Sequence, residues 1–330
     1  MRTRLPLLLL IIMLTSALML SACSKSTSGS EKDDITLRVA YNLWVGSAGL
    51  FVAESKGFFE EAGVKVELIQ FPSPTEATQA LISGNVDIAL TTLDTAVMVK
   101  TNELQGQHLK VFSFTDLSMG ADGIVASKDI KTIADLKGKT VAATIGTVNH
   151  FLLNHALQLA GLSEKDVKLS NVSPEQTGPL FIAGQVDAAV TWEPYLSEAL
   201  TGGGNLLYST KDAPDLIVDG VMTSQAMIDD HAQALRNLVT AIDKGTAFYY
   251  SNTDEAADIA AKKLETTKDE VIAMMGGVKL LKQDEVKAML TGKDSTLEAR
   301  TEEYSSFFFE RKLIDKEVKA DDILDSFLFK

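Results

Sequence analysis

Two stretches of this chain match each other at a constant offset of 100 residues. Residues 84–94 read GNVDIALTTLD and residues 184–194 read GQVDAAVTWEP, and a Ser-Pro pair at 73–74 recurs at 173–174. One such match would be chance, but several at one spacing indicate two copies of a single structural unit. We therefore expect a fold built from two related halves.

Each copy alternates segments of strand character with segments of helical apolar spacing. The order strand, helix, strand, helix, strand covers 36–41, 49–62, 64–71, 74–83 and 86–90 in the first copy, and 140–144, 149–160, 167–172, 175–183 and 186–190 in the second. This alternation predicts a mainly parallel sheet with helices on both faces. Asp87 and Asp187 precede buried strands, and we expect them to be structural, because a short carboxylate can bond turn amides.

Two further strands and a helical C-terminal region complete the predicted fold. Residues 122–127 carry the chain out of the first half and residues 216–223 return it. Helical patterns then cover 225–251, 253–264, 268–275, 283–291, 295–310 and 320–329. About 300 residues are too many for one ordinary core. We expect an α/β fold with two lobes, parallel or mixed sheets and crossover strands between them, with lobe 1 at 35–122 and 224–330 and lobe 2 at 123–223.

The N-terminal residues have the order of a secretion signal. Arg2 and Arg4 precede an almost entirely apolar run at 5–20, and small residues follow. The run is shorter than the roughly 20 residues of a membrane-spanning helix, so residues 1–22 are predicted to be a cleaved signal peptide. A short anchor that stays uncleaved is the alternative.

Cys23 is the only cysteine and ends the sequence Leu20-Ser21-Ala22-Cys23. This sequence resembles the bacterial lipobox, which implies that Cys23 is lipidated and becomes the mature N-terminus. A lone cysteine cannot form an internal disulfide, which fits that interpretation. Residues 24–34 are small and polar and are predicted to be a flexible tether. We expect a protein outside the cytoplasm, held by lipid to the bacterial cell membrane.

The charge of the chain excludes one class of partner. Removal of residues 1–22, which include two arginines, changes the formal net charge from −14 to −16. Nucleic-acid binding needs clustered Lys and Arg to contact phosphates, so we expect no nucleic-acid partner.

Four motifs in a fixed order carry a resemblance to a known family. They are AESKGFFEEAG at 53–63, LISGNVDIA at 81–89, IADLKGKTV at 133–141 and GQVDAAVTWEP at 184–194. In these motifs the chain resembles the nitrate, sulfonate, taurine and thiamine-precursor branch of the substrate-binding proteins of ABC importers. The resemblance covers nearly all of residues 35–330. It implies the periplasmic-binding-protein fold, a two-lobed clamp that closes on a small solute, and docking to the transmembrane subunits of an ABC permease.

Ligands of such sheets bind beyond the carboxyl ends of the strands. That rule selects residues after the first and last strand of each copy, and the acidic residues beside the first crossover add two more. The candidate ligand-binding residues are Trp44, Gly46, Ser47, Thr92, Asp94, Asp116, Asp122, Thr147, Asn149, Trp192 and Glu193.

The residue types in these loops favour a positively charged or polar ligand. Six arginines occur in the chain, and none lies between residues 39 and 235. A carboxylate beside an indole face suits an ammonium or guanidinium group. We therefore expect an amine-bearing, guanidine-like, urea-like or zwitterionic solute. An alkanesulfonate, taurine or nitrate is the alternative, held by lysines, hydroxyls and a helix N-terminus such as 146–149.

Structural roles are also open for several of these candidates. Asp94 could cap the helix that starts near Thr95, Trp192 could belong to a lobe core, and Asp116 and Asp122 could be turn or hinge residues. The residues at 146–149 could be a helix start capped by its own side chains.

The sequence contains no metal-ligand or nucleophile motif of the kinds that would favour an enzyme. The four histidines are scattered, His150 and His155 are five residues apart rather than four, and neither a zinc cysteine cluster nor a Gly-x-Ser-x-Gly elbow occurs. We expect a monomeric binding protein without catalytic residues, cofactor or metal. A secreted enzyme on the same fold and a structural or signalling surface protein are the alternatives from other classes.

Overall fold

The computed structural model describes residues 35–101, 103, 106–292 and 296–330. The predicted signal peptide, Cys23 and the predicted tether lie outside the described residues. Within the described part of the chain, no helix is long and apolar enough to cross a membrane.

The first half forms a six-stranded sheet with both parallel and antiparallel pairs. Its strands are β1 (Thr36–Asn42), β2 (Lys65–Phe71), β3 (Ile88–Thr92), β4 (Leu109–Ser118), β10 (Ile217–Ser224) and β11 (Val278–Leu280), in the order β11-β4-β10-β3-β1-β2. Strand β1 pairs in parallel with β2 and β3, whereas β10 runs antiparallel to β3 and β4. The helices of this half before the crossover are α1 (Ala48–Ser55), α2 (Phe58–Ala62), α3 (Pro74–Ile82) and α4 (Leu93–Lys100).

The second half repeats this pattern in a five-stranded sheet. Its strands are β5 (Asp122–Ala126), β6 (Thr140–Ala143), β7 (Lys168–Asn171), β8 (Ala188–Trp192) and β9 (Asn205–Ser209), in the order β7-β6-β8-β5-β9. Its helices are α5 (Val148–Leu159), α6 (Thr177–Ile182) and α7 (Tyr195–Thr201). Strands β3 and β8 start and end 100 residues apart, as the sequence repeat predicts. The predicted fold class is confirmed, and the limits of the two lobes stay a prediction.

A carboxylate fixes the first strand of each repeat. Asp87 Oδ2 accepts hydrogen bonds from the Arg38 backbone N–H at 2.9 Å and from Arg38 Nε at 3.0 Å, and Asp187 Oδ2 accepts one from the Thr140 N–H at 2.7 Å. Both aspartates are therefore structural, as expected. They bond the edge of β1 or β6, however, rather than amides of their own turn.

The C-terminal helices pack mainly on the helices of the first half. They are α8 (Gln225–Ser251), α9 (Thr253–Leu264), α10 (Lys268–Met275), α11 (Gln283–Thr291), α12 (Thr296–Glu310) and α13 (Ala320–Ile323). Helix α8 buries Leu235, Leu238, Val239 and Ile242, which recur every three or four residues and form one apolar stripe. It crosses α1 so closely that a Cβ at Gly245 would overlap the carbonyl oxygen of Gly49.

Three strands, two helices and one helix end differ from the sequence expectation. The helix predicted over 49–62 is divided into α1 and α2 at Gly57, whose backbone is left-handed, and α7 lies outside the predicted helices. Strands β4, β9 and β11 lie outside the predicted strands. The last helix, predicted over 320–329, ends at Ile323, because Leu324 turns extended to form a bridge with Val111 on β4. The Asp325 N–H donates to the Val111 carbonyl at 2.9 Å, which secures that turn.

Helix α12 also contacts the second half. The ring of Phe151 on α5 packs edge-on against Tyr304 and Phe307, with centroid distances of 4.7 Å and 5.1 Å. Arg311 Nη2, just after α12, donates to Asn154 Oδ1 at 2.9 Å. This contact joins the helical C-terminal region to the helix that begins beside the cleft.

Candidate ligand-binding site

A cavity lies between the two sheets, at the matching ends of their strands. It has a volume of about 30 Å³, room for roughly two water molecules. Its walls come from both repeats, since Pro74 and Pro174, and Thr92 and Trp192, are pairs at the 100-residue offset. The lining residues are Asn42, Trp44, Pro74, Thr75, Thr92, Thr95, Asp122, Thr147, Val148, Asn149, Pro174, Trp192, Ile217 and Asp219.

The structure brings together six of the predicted ligand-binding residues on the cavity wall. These are Trp44, Thr92, Asp122, Thr147, Asn149 and Trp192. The other predicted residues, Gly46, Ser47, Asp94, Asp116 and Glu193, are not part of the lining. Their predicted contact with a ligand, and that of the six, stays a prediction.

Trp44 and Asp116 form one buried unit behind the wall. The indole Nε1 of Trp44 donates to Asp116 Oδ1 at 3.0 Å, and the Thr115 hydroxyl donates to Asp116 Oδ2 at 2.9 Å. A Cβ at Gly46 would lie 2.5 Å from Asp116 Oδ1 and would overlap Trp44 Nε1, so this bond requires glycine there. Asp116 lies within strand β4 and not in a turn. Burial raises its pKa to about 6, although hydrogen bonds from Trp44, Thr115 and the protonated carboxyl of Asp219 lower it.

Asp219 is a cavity residue that the sequence analysis misses. It lies on β10, where the strand register places it opposite both Asp116 on β4 and Thr92 on β3. Its pKa is raised well above the ordinary value by burial first, and then by the negative charges of Asp116, Asp122 and Asp94. The sequence predicts that Asp219 lies in a strand, but it does not predict that this residue faces the cavity. That position depends on how β10 pairs with β3 and β4.

Asp122 begins β5 and faces the same cavity from the second sheet. Burial raises its pKa to about 7; the Ser118 hydroxyl lowers it, and the charges of Asp116, Asp94 and Glu193 raise it. Asp122 follows directly after residues 119–121, which link β4 of the first sheet to β5 of the second. Thr210 lies in the return link from β9 to β10, and its Oγ1 accepts a hydrogen bond from the Gly120 N–H at 2.7 Å, so the two links between the sheets are tied together.

Asp94 is fully buried in the first turn of α4, behind the lining. It is not the cap of that helix, because the N-cap is Thr92. Burial raises its pKa to about 6, while the Thr92 hydroxyl and the N–H groups of Thr95 and Val148 lower it. Within the described residues, neither of its oxygens has a hydrogen-bond partner of normal geometry.

The start of α5, predicted as a possible anion site, has a carboxylate as its neighbour. The N-cap Thr147 makes no side-chain cap, and its hydroxyl instead donates to the Thr144 carbonyl at 2.8 Å. The Val148 N–H lies close enough to Asp94 to lower its pKa. The alternative, a helix start capped by its own side chains, holds in part: Thr147 makes no cap bond, but His150 Nδ1 on the first turn of α5 accepts a hydrogen bond from the Gly146 N–H at 3.3 Å.

Asn149, Trp192 and Glu193 have different roles in the wall. Asn149 Nδ2 donates to the Val190 carbonyl at 2.6 Å and so fixes α5 to β8. The Glu193 carboxylate accepts hydrogen bonds from the Ser197 N–H at 3.0 Å and from the Ser197 hydroxyl at 2.8 Å. It thereby provides an acceptor for one of the free backbone N–H groups in the first turn of α7. Trp192 is 6 % exposed and lines the cavity, and its Nε1 has no hydrogen-bond partner among the described residues.

The ionisable side chains of the cavity wall are acidic. Among the described residues that line it there are two aspartates and no Lys, Arg or His. The remaining polar groups are threonine hydroxyls, asparagine amides and two indoles. Such a wall can accept hydrogen bonds from a cation and offer it aromatic faces. For the described residues, no group of three or more His, Cys, Asp or Glu has a metal-binding arrangement.

The fold and the interlobe cavity define a two-lobed α/β protein of the periplasmic-binding-protein type. The family model described as "NMT1/THI5 like" matches residues 44–256. The chain therefore belongs to the NMT1/THI5-like family, which agrees with the resemblance seen in its motifs.

Known proteins are similar to this chain over most of its length. A "Putative aliphatic sulfonates-binding protein" of Bacillus subtilis (strain 168) is 25% identical over 334 residues, which is 97% of this chain and 95% of that protein. The "Formylaminopyrimidine-binding protein" of Halalkalibacterium halodurans is 24% identical over 79% of each chain. The crystal structure of the periplasmic aliphatic sulphonate binding protein SsuA from Escherichia coli has a TM-score of 0.73 and 23% identity, covering 87% of this chain and 91% of that one. That last likeness shows the fold.

Proposed function

We propose that this protein is the extracytoplasmic solute-binding component of an ABC importer. The observation that carries the proposal is the cavity, which is lined by Thr92 and Asp219 of the first half and by Asp122, Asn149 and Trp192 of the second. A solute held there contacts both halves at once, so it stabilises the closed form that a permease can recognise. The relatives named above are also binding proteins, by their names.

The protein binds its solute without converting it and acts as a monomer. Lipid attached to Cys23 holds it at the outer face of the cell membrane, and residues 24–34 give the domain reach toward the permease. Docking involves both lobes, so that only a closed, loaded protein presents the matching surface.

The favoured ligand is a small amine-bearing, guanidine-like, urea-like or zwitterionic solute. Asp122 and Asp219 line the cavity, and Asp116 and Asp94 lie directly behind it, whereas no lining residue is a lysine, arginine or histidine among those described. An added cation would form charged hydrogen bonds in a site with little water, where they are strong. The indoles of Trp44 and Trp192 would contribute cation–π attraction.

An alkanesulfonate, taurine or nitrate is the second candidate. The names of the Bacillus subtilis and Escherichia coli relatives favour it, and Thr147, Val148 and Asn149 place a helix N-terminus in the wall. A simple anion is disfavoured there, because the Asp94 carboxyl already lies beside the Val148 N–H of this helix N-terminus. Negative charge on the ligand would meet these carboxylates without an arginine or lysine from the lining.

Calorimetric titration of the full chain in detergent micelles tests the function and its ligand class together. The probes are guanidinium, methylammonium, urea, taurine, methanesulfonate and nitrate. We expect heat of binding with the first three probes and none with methanesulfonate or nitrate. Taurine fits both candidates, as a zwitterion and as a sulfonate, so its binding would support a binding protein without separating the two ligand classes. Tight nitrate or methanesulfonate binding without any response to amines would reverse the ligand assignment.

A pair of variants links any binding to the cavity. Asp122→Asn removes a cavity carboxylate and should weaken binding of a cationic probe by about tenfold or more, since one charged hydrogen bond is worth about 1.5–3 kcal/mol. Asp258→Asn makes the same change on the exposed face of α9 and should leave binding unchanged. Turnover of a probe that depends on a cavity side chain would instead favour a secreted enzyme.

A further inference from the structure

We propose that Asp116 and Asp219 of the first sheet and Asp122 of the second form a carboxylate gate. In the empty protein their ionised carboxylates hold the lobes apart, and the lobes close when a bound cation or added protons neutralise them. The gate rests on the proposed function and extends it, because it concerns how closure is controlled.

The strand topology places the three carboxyls on both sides of one cleft. Asp116 and Asp219 are register partners on β4 and β10 of the first sheet. Asp122 is the first residue of β5 in the second sheet, and it shares the cavity wall with Asp219. Closing the lobes therefore brings a carboxylate of the second sheet toward two carboxylates of the first.

The described wall contains no compensating positive charge. The charge of Asp122 raises the pKa of Asp219, and the charge of Asp116 raises the pKa values of both, each after the larger effect of burial. Like charges that approach in a low-dielectric cavity repel each other far more strongly than they do in water. The closed and empty form is consequently disfavoured while all three groups are ionised.

A separate observation indicates that the cavity is built for an occupant. The Nε1 of Trp192 has no hydrogen-bond partner within the described residues, although the side chain is 94 % buried and lines the cavity. A buried donor without an acceptor is costly. A ligand that supplies a positive group and an acceptor atom would satisfy both the carboxylates and this indole.

Proton uptake should replace the ligand when the ligand is missing. Asp116, with a pKa of about 6, and Asp122, with a pKa of about 7, gain protons in the closed form as the pH falls below neutrality. Burial and the negative charges of its neighbours also raise the pKa of Asp219 well above its ordinary value, so protonation of this group is favoured in the same direction. The other titratable or charged groups that act on this cluster are Asp94, Glu193, Tyr250, Tyr304 and, through Tyr304, Arg300 and Glu303.

The two tryptophans provide the assay. Trp44 and Trp192 are the only tryptophans in the chain, and both line the cavity. Closure should shield them from acrylamide. For the ligand-free full chain in detergent micelles, we expect a quenching constant several-fold smaller at pH 5 than at pH 8. The change should begin below about pH 7, the raised pKa of Asp122 in the closed form, and continue toward the ordinary carboxyl pKa of about 4. Equal quenching at both pH values would refute the gate.

Variants separate the gate from other effects of acid. Asp122→Asn should give low quenching at pH 8 without ligand and should flatten the pH dependence, and Asp219→Asn should do the same. Asp258→Asn should behave as the parent chain does. Circular dichroism checks that each variant is folded. If both cavity variants fold and keep the parent pH profile, the gate is wrong.

The outcomes for the gate and for the proposed function are distinguishable. The pH-driven closure is measured without any ligand, so the quenching experiment tests the gate even if none of the probe solutes binds. If guanidinium or another cationic probe binds, its affinity should fall about tenfold per pH unit below pH 6 for each proton that it displaces. Binding that is independent of pH would leave the proposed function intact and would overturn the gate.

Discussion

Replacement of Asp94 by asparagine should stabilise this protein at alkaline pH and have little effect in acid. Asp94 is 0 % exposed, and in the described structure neither of its oxygens has a hydrogen-bond partner of normal geometry. Asparagine has nearly the same shape and carries no charge. Asp94→Asn therefore removes the penalty for burying an ionised carboxylate while it keeps the packing at the start of α4.

The magnitude follows from the pKa of this carboxyl. Burial raises the pKa of Asp94 from 3.8 to about 6. Because the folded protein holds the proton more tightly than the unfolded chain does, the free energy of unfolding falls as the pH rises from about 4 to about 6, and it stays low above that range. The difference between 3.8 and about 6 corresponds to about 3 kcal/mol. Asp94→Asn should recover up to that amount at pH 8 and almost none at pH 4.

Urea unfolding of the ligand-free protein at pH 4, pH 6 and pH 8 measures this effect. The variant should have the higher unfolding midpoint at pH 8, with the gap closing toward pH 4. Asp258→Asn is the matched control, since the same change on an exposed face should shift the free energy of unfolding by less than about 0.5 kcal/mol at every pH. A variant less stable than the parent at pH 8 would show that the ionised carboxylate is stabilised in place, and the argument from burial would fail.

Three further substitutions test other contacts. Gly46→Ala would push a Cβ into Trp44 Nε1, so any cationic probe found to bind in the calorimetric titration should bind at least about tenfold more weakly, which is one lost buried hydrogen bond. Gly245→Ala would force α8 away from the Gly49 carbonyl and should cost about 1–3 kcal/mol in urea unfolding. Arg38→Gln breaks the ion pair that fixes β1, and because the Arg38 side chain is 38% exposed it should cost only about 1 kcal/mol or less.

A single control serves the two glycine substitutions. Gly202 has an ordinary negative φ, and a Cβ there would meet nothing closer than 3.4 Å. Gly202→Ala should therefore change neither binding nor the urea midpoint by a measurable amount. If it behaves as Gly46→Ala or Gly245→Ala does, steric overlap is not the cause of their effects.

The sequence repeat predicts much of the fold because it reports local patterns. The apolar runs and turn glycines around 84–90 and 184–190 are properties of consecutive residues, and they correspond to β3 and β8. The carboxyl ends of these strands must meet the loops of the other half if both sheets face one cleft. Thr92 and Trp192 could be placed on the cavity wall for that reason alone.

Strand β4 shows where local pattern fails. Asp116 follows a run with strand character, but the Asp-Leu-Ser-Met-Gly sequence from 116 to 120 also suits a turn. The strand continues to Ser118 because β10 and β11 pair with it on both sides. Tertiary hydrogen bonding thus overrides the local preference of these residues.

The position of Asp219 beside the cavity could not be predicted from the sequence. Its strand could be predicted, yet its place opposite Asp116 depends on the register between segments about 100 residues apart, and no local pattern specifies that register. An aspartate in a sequence is only a residue type; whether it is ionised depends on its burial and on the charges that surround it. The acidic character of this region therefore follows from three strands meeting, β4, β5 and β10, and not from any one of their sequences.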